Sequence, residues 1–142
     1  MFSIKTYQKF FQQLLLLYRP FENRLNLELA KHDLYRAQWS VLHYLSNYGT
    51  ATLVELAGYQ GVEKPTVTRT ISKLEELNYV EQVAGKDKRE KRMQLTEEGK
   101  KLYAKVRITI DEYELDILKG ISEEEQLACI RVMEDIRKNI RE

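Results

Sequence analysis

Lys86, Lys88, Arg89, Lys91 and Arg92 fall within seven consecutive positions, beside Gly85 and Asp87, in a chain whose formal net charge is only +1. Cationic side chains at this density bind oxyanions, phosphate foremost, and arginine adds a planar fork that grips one group with two hydrogen bonds. A second set lies upstream in "EKPTVTRTISK": Lys64, Thr66, Thr68, Arg69 and Lys73, with Pro65 among them. At the floor of a DNA groove, arginine can pair twice with one guanine, and threonine can bond either base type or touch a thymine methyl. The near-zero total hides an asymmetry. Residues 60–105 hold 11 Lys/Arg against 8 Asp/Glu, whereas residues 109–142 hold 5 against 10. One part suits a polyanion and the other does not.

Other chemistries find little support. There is no nucleophile–base constellation, phosphate-cradling loop or paired-carboxylate motif, so neither an enzyme nor a cofactor is expected. His32 and His43 are the only histidines, without ligand spacing around them, and no metal site is expected. Cys129 cannot form an internal disulfide; it lies on an apolar stripe with Met133 and Ile136, where a buried, inert thiol is expected. A reducing cytoplasm fits best.

The elements that must hold the basic residues are mostly helical. The 142 residues suffice for one domain with an appended helical part, and 43% hydrophobic with 32% charged residues argue against disorder. No apolar run is long enough to cross a bilayer, the longest being "LLLL" at 14–17, and Lys5, Gln8 and Lys9 interrupt any signal-peptide core.

The spacing of Phe10, Leu14, Leu17, Phe21, Leu25 and Leu29 predicts a helix over about residues 3–30, which Pro20 would kink or break. "LYRAQWSVLHYLSNYG" predicts a second helix, with Trp39, Leu42 and Leu45 inward, Gly49 at its end, and Tyr35 or Asp33 as its cap. "TLVELAGYQGV" is a short third helix closed by Gly58 or Gly61. A fourth follows with Val67, Ile71 and Leu74 on one side, Pro65 in its first turn and Asn78 as a left-handed cap. "YVEQVA" and "KRMQLT" read as strands of a hairpin whose tip is basic; Met93 and Leu95 face one way, Arg92, Gln94 and Thr96 the other. Thr96 caps a fifth helix reaching about Lys119, with Leu102, Val106, Ile110, Tyr113 and Ile117 in its seam. Ser122 and Glu125 box the start of a sixth that carries Cys129, Val132, Met133, Ile136 and Ile140.

Helix, helix, helix, helix, hairpin, helix, helix is the order of a winged helix-turn-helix within a mainly α chain. "LAGYQGVEKPTVTRTISKLEELNYV" followed by "DKREKRMQLTEEG" resembles the MarR (multiple antibiotic resistance regulator) family of bacterial transcription factors. The family's wing signature, D-x-R-x-x-x-V-x-L-T-x-x-G, is matched by Asp87, Arg89, Met93, Leu95, Thr96 and Gly99, with Met93 in place of the β-branched residue. Leu56-Ala57, Thr66-Val67-Thr68-Arg69, Leu74-Glu75 and "LYRAQWSVL" also fall where the family has them. Gln60, Tyr35 and Asn78 depart from its usual residues.

The resemblance implies an N-terminal dimerisation helix over residues 1–33, a winged helix-turn-helix DNA-binding domain over 34–100, and C-terminal dimerisation helices over 101–142. It implies a homodimer that binds double-stranded DNA, with the fourth helix (Lys64, Pro65, Thr66, Thr68, Arg69, Lys73) in the major groove. The wing would run along the DNA: Arg89 at the minor groove or its phosphate edge, Asp87 holding Arg89 or a basic residue of the fourth helix, and Lys86, Lys88, Lys91 and Arg92 on phosphates. Repression is the expected outcome, relieved by a small-molecule effector in a cleft that Tyr18, Phe21, Tyr35, Trp39 and Tyr44 would line. The first, fifth and sixth helices carry more apolar surface than one small winged domain covers, which agrees with a dimer. Two other readings compete: a winged helix that binds protein, which the basic, threonine-rich face disfavours, and a DNA-binding regulator without an effector. Replacing the wing arginine, Arg89→Ala, should weaken operator binding about tenfold or more and leave the dimer intact, as read by titration and sedimentation; unchanged affinity would remove the wing from the interface.

Overall fold

Glycine and its substitutes place the helix ends. Gly49 (φ 88°) follows the second helix, Gly61 (φ 67°) closes the third, and Asn78 (φ 64°) follows the fourth, as a left-handed asparagine can. The computed structural model describes residues 3–83 and 90–141. Its elements are α1 (Thr6–Ala30), α2 (Arg36–Tyr48), β1 (Thr50–Thr52), α3 (Leu53–Gln60), α4 (Lys64–Glu76), β2 (Val80–Gln82), β3 (Arg92–Leu95), α5 (Glu97–Ile117) and α6 (Glu123–Ile140). α1 runs through Pro20 without a break. Tyr35, not Asp33, precedes α2: its N–H donates to Gln38 Oε1 (2.9 Å), while Asp33 takes a left-handed turn (φ 59°). Among the described residues, no helix is long and apolar enough to cross a membrane.

Two compact units emerge, Met1–Asp111 and Glu112–Glu142. In the first, Val41, Leu42 and Leu45 of α2, Leu56 of α3, and Val67, Ile71 and Leu74 of α4 are buried, together with Met93 and Leu95 of β3. Leu25 and Leu29 of α1 and Val106 and Ile110 of α5 are buried as well. The sheet has three strands in the order β1-β3-β2, all antiparallel. β1 is a correction to the two-stranded hairpin expected from sequence. Its three residues are too few to show an alternating pattern, and Thr50, Ala51 and Thr52 gain strand conformation only by pairing with Gln94, Met93 and Arg92. Thr96 corrects another expectation: lying beyond the end of β3, it is buried rather than outward.

That threonine closes the wing against the helix-turn-helix. Its N–H donates to Tyr79 O (3.1 Å), its hydroxyl donates to Asn78 O (2.7 Å), and the same oxygen accepts from Gly99 N–H (2.9 Å). The first turn of α5 is thereby drawn onto the backbone that leaves α4. A Cβ at Gly99 would stand 2.0 Å from Tyr79 O and 3.0 Å from Tyr79 C, both backbone atoms that cannot swing aside.

In the second unit Gly120 (φ 81°) turns the chain after α5, and Ser122 caps α6: Ser122 Oγ accepts from Glu125 N (3.1 Å) and Glu125 Oε1 from Ser122 N (2.9 Å). None of the residues of α6 is buried, and Cys129 is exposed. Within the single chain the expected burial of the thiol is therefore not found. The stripe it shares with Met133, Ile136 and Ile140 is apolar, but the chain by itself does not cover that stripe.

Glu28 is the most buried carboxylate among the described residues, with only 8% of its side chain exposed, and each oxygen has a cation: Lys31 Nζ at 2.7 Å and Arg24 Nε at 3.0 Å. Hydrogen bonds from Lys31 and then Arg24 hold its carboxyl below the ordinary value, against the opposing effect of burial.

Gly99→Ala should lose about 3 kcal/mol in urea denaturation, because the added methyl must displace backbone; Gly58→Ala, where no atom lies within 4 Å of the added Cβ, should lose nothing. Equal stability of Gly99→Ala and the parent would remove the clamp. For Glu28→Gln the expected loss is pH-dependent. A depressed carboxyl stabilises the fold above its unfolded value, and that contribution disappears as pH falls through the lower folded value. The stability gap between parent and variant should thus be full at neutral pH and close as the solution is acidified below the ordinary carboxylate range. A gap that does not change with pH would contradict the ion-pair account.

Candidate nucleic-acid interface

The helix-turn-helix is built from α3, the turn at Gly61–Glu63 and α4. Thr52 starts α3 with a reciprocal cap: its hydroxyl accepts from Glu55 N–H (3.1 Å), and Glu55 Oε1 accepts from Thr52 N–H (3.1 Å). These hydrogen bonds, with a smaller contribution from the Arg92 charge, hold the Glu55 carboxyl below its ordinary value against burial. Gln60, which departs from the apolar residue usual in the family, donates from Nε2 to Ala37 O (2.9 Å) and so fastens the end of α3 to the first turn of α2. Val62 N–H returns to Ala57 O (3.1 Å), which turns the chain toward α4.

α4 buries Val67, Ile71 and Leu74 and leaves Lys64, Pro65, Thr68, Arg69 and Lys73 exposed, with Thr66 half-buried. The residues expected to read DNA thus share the outer side of one helix. Thr68 is exposed and donates its hydroxyl proton to Lys64 O (3.0 Å), which leaves its oxygen lone pairs able to accept. Lys64 and Arg69 have no ion-pair partner among the described residues, and Lys73 has only the surface carboxylate of Glu76 at 3.6 Å.

Of the wing residues, Lys86, Asp87, Lys88 and Arg89 lie outside the described residues. Lys91 and Arg92 are described, and both face acids of the helix-turn-helix. Lys91 Nζ is 3.7 Å from Glu75 Oε1 of α4. Arg92 Nε donates to Thr50 Oγ1 (3.2 Å), Nη2 lies 3.4 Å from Glu55 Oε1 and Nη1 3.8 Å from Glu90 Oε1. Sequence reasoning missed Thr50, Glu55 and Glu75. Thr50 lies in the strand that the sequence did not show, and Glu55 and Glu75 carry no local mark of the cations that reach them from the returning strand.

The five aromatics expected at an effector cleft do not gather in one place. Tyr18 and Tyr35 are exposed and Phe21 is half-buried. Trp39 is buried and stacks on Tyr103 of α5 (5.0 Å between centroids, 13° between planes), with Arg107 Cζ 5.5 Å from the indole centroid. His43 Nδ1 and Tyr103 Oη share a hydrogen bond of 3.0 Å. Tyr44 instead packs with Tyr48 (4.6 Å) and Tyr59 (4.9 Å). Five residues separate Trp39 from Tyr44, so they point about 140° apart around α2. Tyr103 was not singled out from sequence, because it stands beside the apolar seam of α5 rather than in it. A cleft of ≈ 570 Å³ between α2, the sheet and α5 is lined by none of these rings; Ser46, Thr50, Glu81, Gln94, Glu97 and Lys100 form its polar walls.

The MarR-family model matches residues 32–90, which span α2 to the wing. The chain is also 39% identical over 110 residues to an uncharacterised HTH-type transcriptional regulator of Bacillus subtilis strain 168, YwoH, covering 78% of this chain and 80% of that one. The chain belongs to the MarR family. Its fold is close to that of Staphylococcus aureus MarR in complex with salicylate and kanamycin: TM-score 0.82, 28% identity, 94% of this chain and 91% of that one. It is also similar to the transcriptional regulator PA3341, with TM-score 0.83, 32% identity, and 92% and 97% of the two chains covered. This MarR-family chain is accordingly a DNA-binding transcriptional regulator.

Proposed function

We propose that this MarR-family regulator is a cytoplasmic repressor that binds a pseudo-palindromic operator as a homodimer. The observation that carries the reading is the outer side of α4, where Lys64, Thr66, Thr68, Arg69 and Lys73 stand together on a helix whose other side is locked into the core. Such a helix enters the major groove, where Arg69 can take a guanine and the threonines a base edge or a methyl. The wing tip, with Lys86, Lys88 and Arg89, follows the groove beside it, and each phosphate neutralised steepens the salt dependence.

One α4 and one wing cover a half-site. The dimer is supported by apolar surface that the chain leaves open: Phe10, Phe11, Leu14, Leu15, Leu16 and Leu17 on α1, and Leu127, Ile130, Met133 and Ile140 on α6. Residues 1–33 and 101–142 supply the dimer contacts in this reading, and 34–100 the DNA contacts. Two-fold symmetry then requires half-sites about one helical turn apart.

Release by an anionic aromatic effector is the second part of the proposal. It is supported by the salicylate complex of the S. aureus relative and by the Trp39–Tyr103–His43 cluster with Arg107 across the indole. An effector lowers DNA affinity only by binding better to a geometry that does not fit the operator.

Selection from a random duplex pool at moderate salt tests the core of this reading. A two-fold-symmetric sequence should be enriched, and Arg69→Ala should lose the preference at a defined position in each half-site. Binding without enrichment would leave an unspecific polyanion binder, and no binding would favour a protein-binding winged helix.

A further inference from the structure

We propose that Arg92, at the root of the wing, is a positioning residue that couples the wing to the start of α3, and that Glu55 is its anchor. The inference rests on the DNA-binding reading above and concerns how the wing is aimed. Three elements meet at this side chain. Arg92 pairs with Thr52 in the β1–β3 register, and Thr52 is the residue that caps α3. Its Nε donates to Thr50 Oγ1 at 3.2 Å, so the guanidinium is pinned to β1. Its Nη2 lies 3.4 Å from Glu55 Oε1, the same oxygen that accepts the Thr52 N–H and completes the cap. Nη1 turns to Glu90 at 3.8 Å, on the wing's own approach to β3. Every nitrogen of the fork therefore faces an oxygen of the chain, and a DNA phosphate would have to displace one of them.

The pair is too exposed to matter much for global stability: 37% of the Arg92 side chain and 43% of the Glu55 side chain are accessible. Its consequence is geometric. α3 fixes where the helix-turn-helix stands, β3 carries the wing, and the Arg92–Glu55 pair sets one relative to the other. Lys91 makes a parallel, longer contact to Glu75 on α4, so the two residues that begin the returning side of the wing each reach a different helix of the motif.

Positioning and phosphate contact predict opposite signs. Removing a carboxylate near a polyanion strengthens binding when the charge acts only through space. Glu55→Gln keeps the α3 cap, because glutamine also serves at that position of a capping box, and removes only the charge. If Glu55 holds Arg92, the variant must instead bind more weakly.

The test is titration of the full-length parent, Glu55→Gln, Arg92→Gln and the double variant with the selected duplex over a range of salt concentrations. Amide hydrogen exchange is measured on the same proteins without DNA. Both single variants should bind about fivefold more weakly at unchanged salt slope, and the double variant no more weakly than either, as for residues acting as one unit. Amides of residues 50–52 and 92–94 should exchange faster in both. Tighter or unchanged binding by Glu55→Gln would overturn the proposal. So would a salt slope lowered by about one in Arg92→Gln, the mark of a lost phosphate contact. Should the parent select no sequence, the operator reading fails. Exchange in the free protein then still decides whether Arg92 and Glu55 hold the wing root, unaltered exchange overturning that as well.

Discussion

Everything that makes this chain a winged helix passes through one crowded spot, where the first turn of α5 meets the carbonyl of Tyr79. The gap admits a hydrogen and not a methyl. Around it, Thr96 gives its N–H to Tyr79, its proton to Asn78 and its lone pair to Gly99, so a buried hydroxyl satisfies the start of α5 and the end of α4 at once. Asn78 can present its carbonyl there because it takes the left-handed turn after α4. Three residues of the sequence signature, Leu95, Thr96 and Gly99, are thus explained by packing and hydrogen bonding alone. That contact ties the start of α5 to the backbone between α4 and β2.

Most of this architecture was legible in the sequence because it is written in local rules. Apolar spacing fixed the inward sides of α2 and α4, capping residues fixed their ends, and alternation put Met93 and Leu95 inside. What escaped was non-local. β1 exists only because a strand 42 residues further along pairs with it, Arg92 reaching back to Thr50. Tyr103 meets Trp39 across 64 residues of sequence, and neither residue carries a local mark of the other. The outer side of α4 was readable by subtraction: once Val67, Ile71 and Leu74 are inward, Lys64, Thr68 and Arg69 must be outward. The aromatics were not, since a ring at helical spacing shows only that it is near a helix, not which neighbour covers it.

Cys129 shows a limit of a different kind. An apolar stripe in sequence says that burial is favourable, not that the chain itself provides it. α6 has such a stripe and no buried residue, and the first half of α1 has Leu14–Leu17 in the open. The sequence places this stripe among the surplus apolar surface of the terminal helices, and the single chain leaves its thiol exposed. The stripe and the exposure together agree with surface that the proposed dimer would cover.

The charge pattern repays the same separation of roles. A chain of net charge +1 has no general attraction for DNA, so affinity must come from where the cations stand and how many remain unpaired. On α4, Lys64 and Arg69 are exposed and have no ion-pair partner among the described residues. At the wing root, Lys91 and Arg92 face Glu75, Glu55 and Glu90. A run of five basic residues is therefore not five equivalent phosphate contacts. Cations engaged by the chain's own acids cannot release counterions from DNA without first losing those partners, and exposed pairs of this kind hold geometry more than they hold the fold together. What they can do is hold the start of β3 against the helix-turn-helix, Arg92 at α3 and Lys91 at α4.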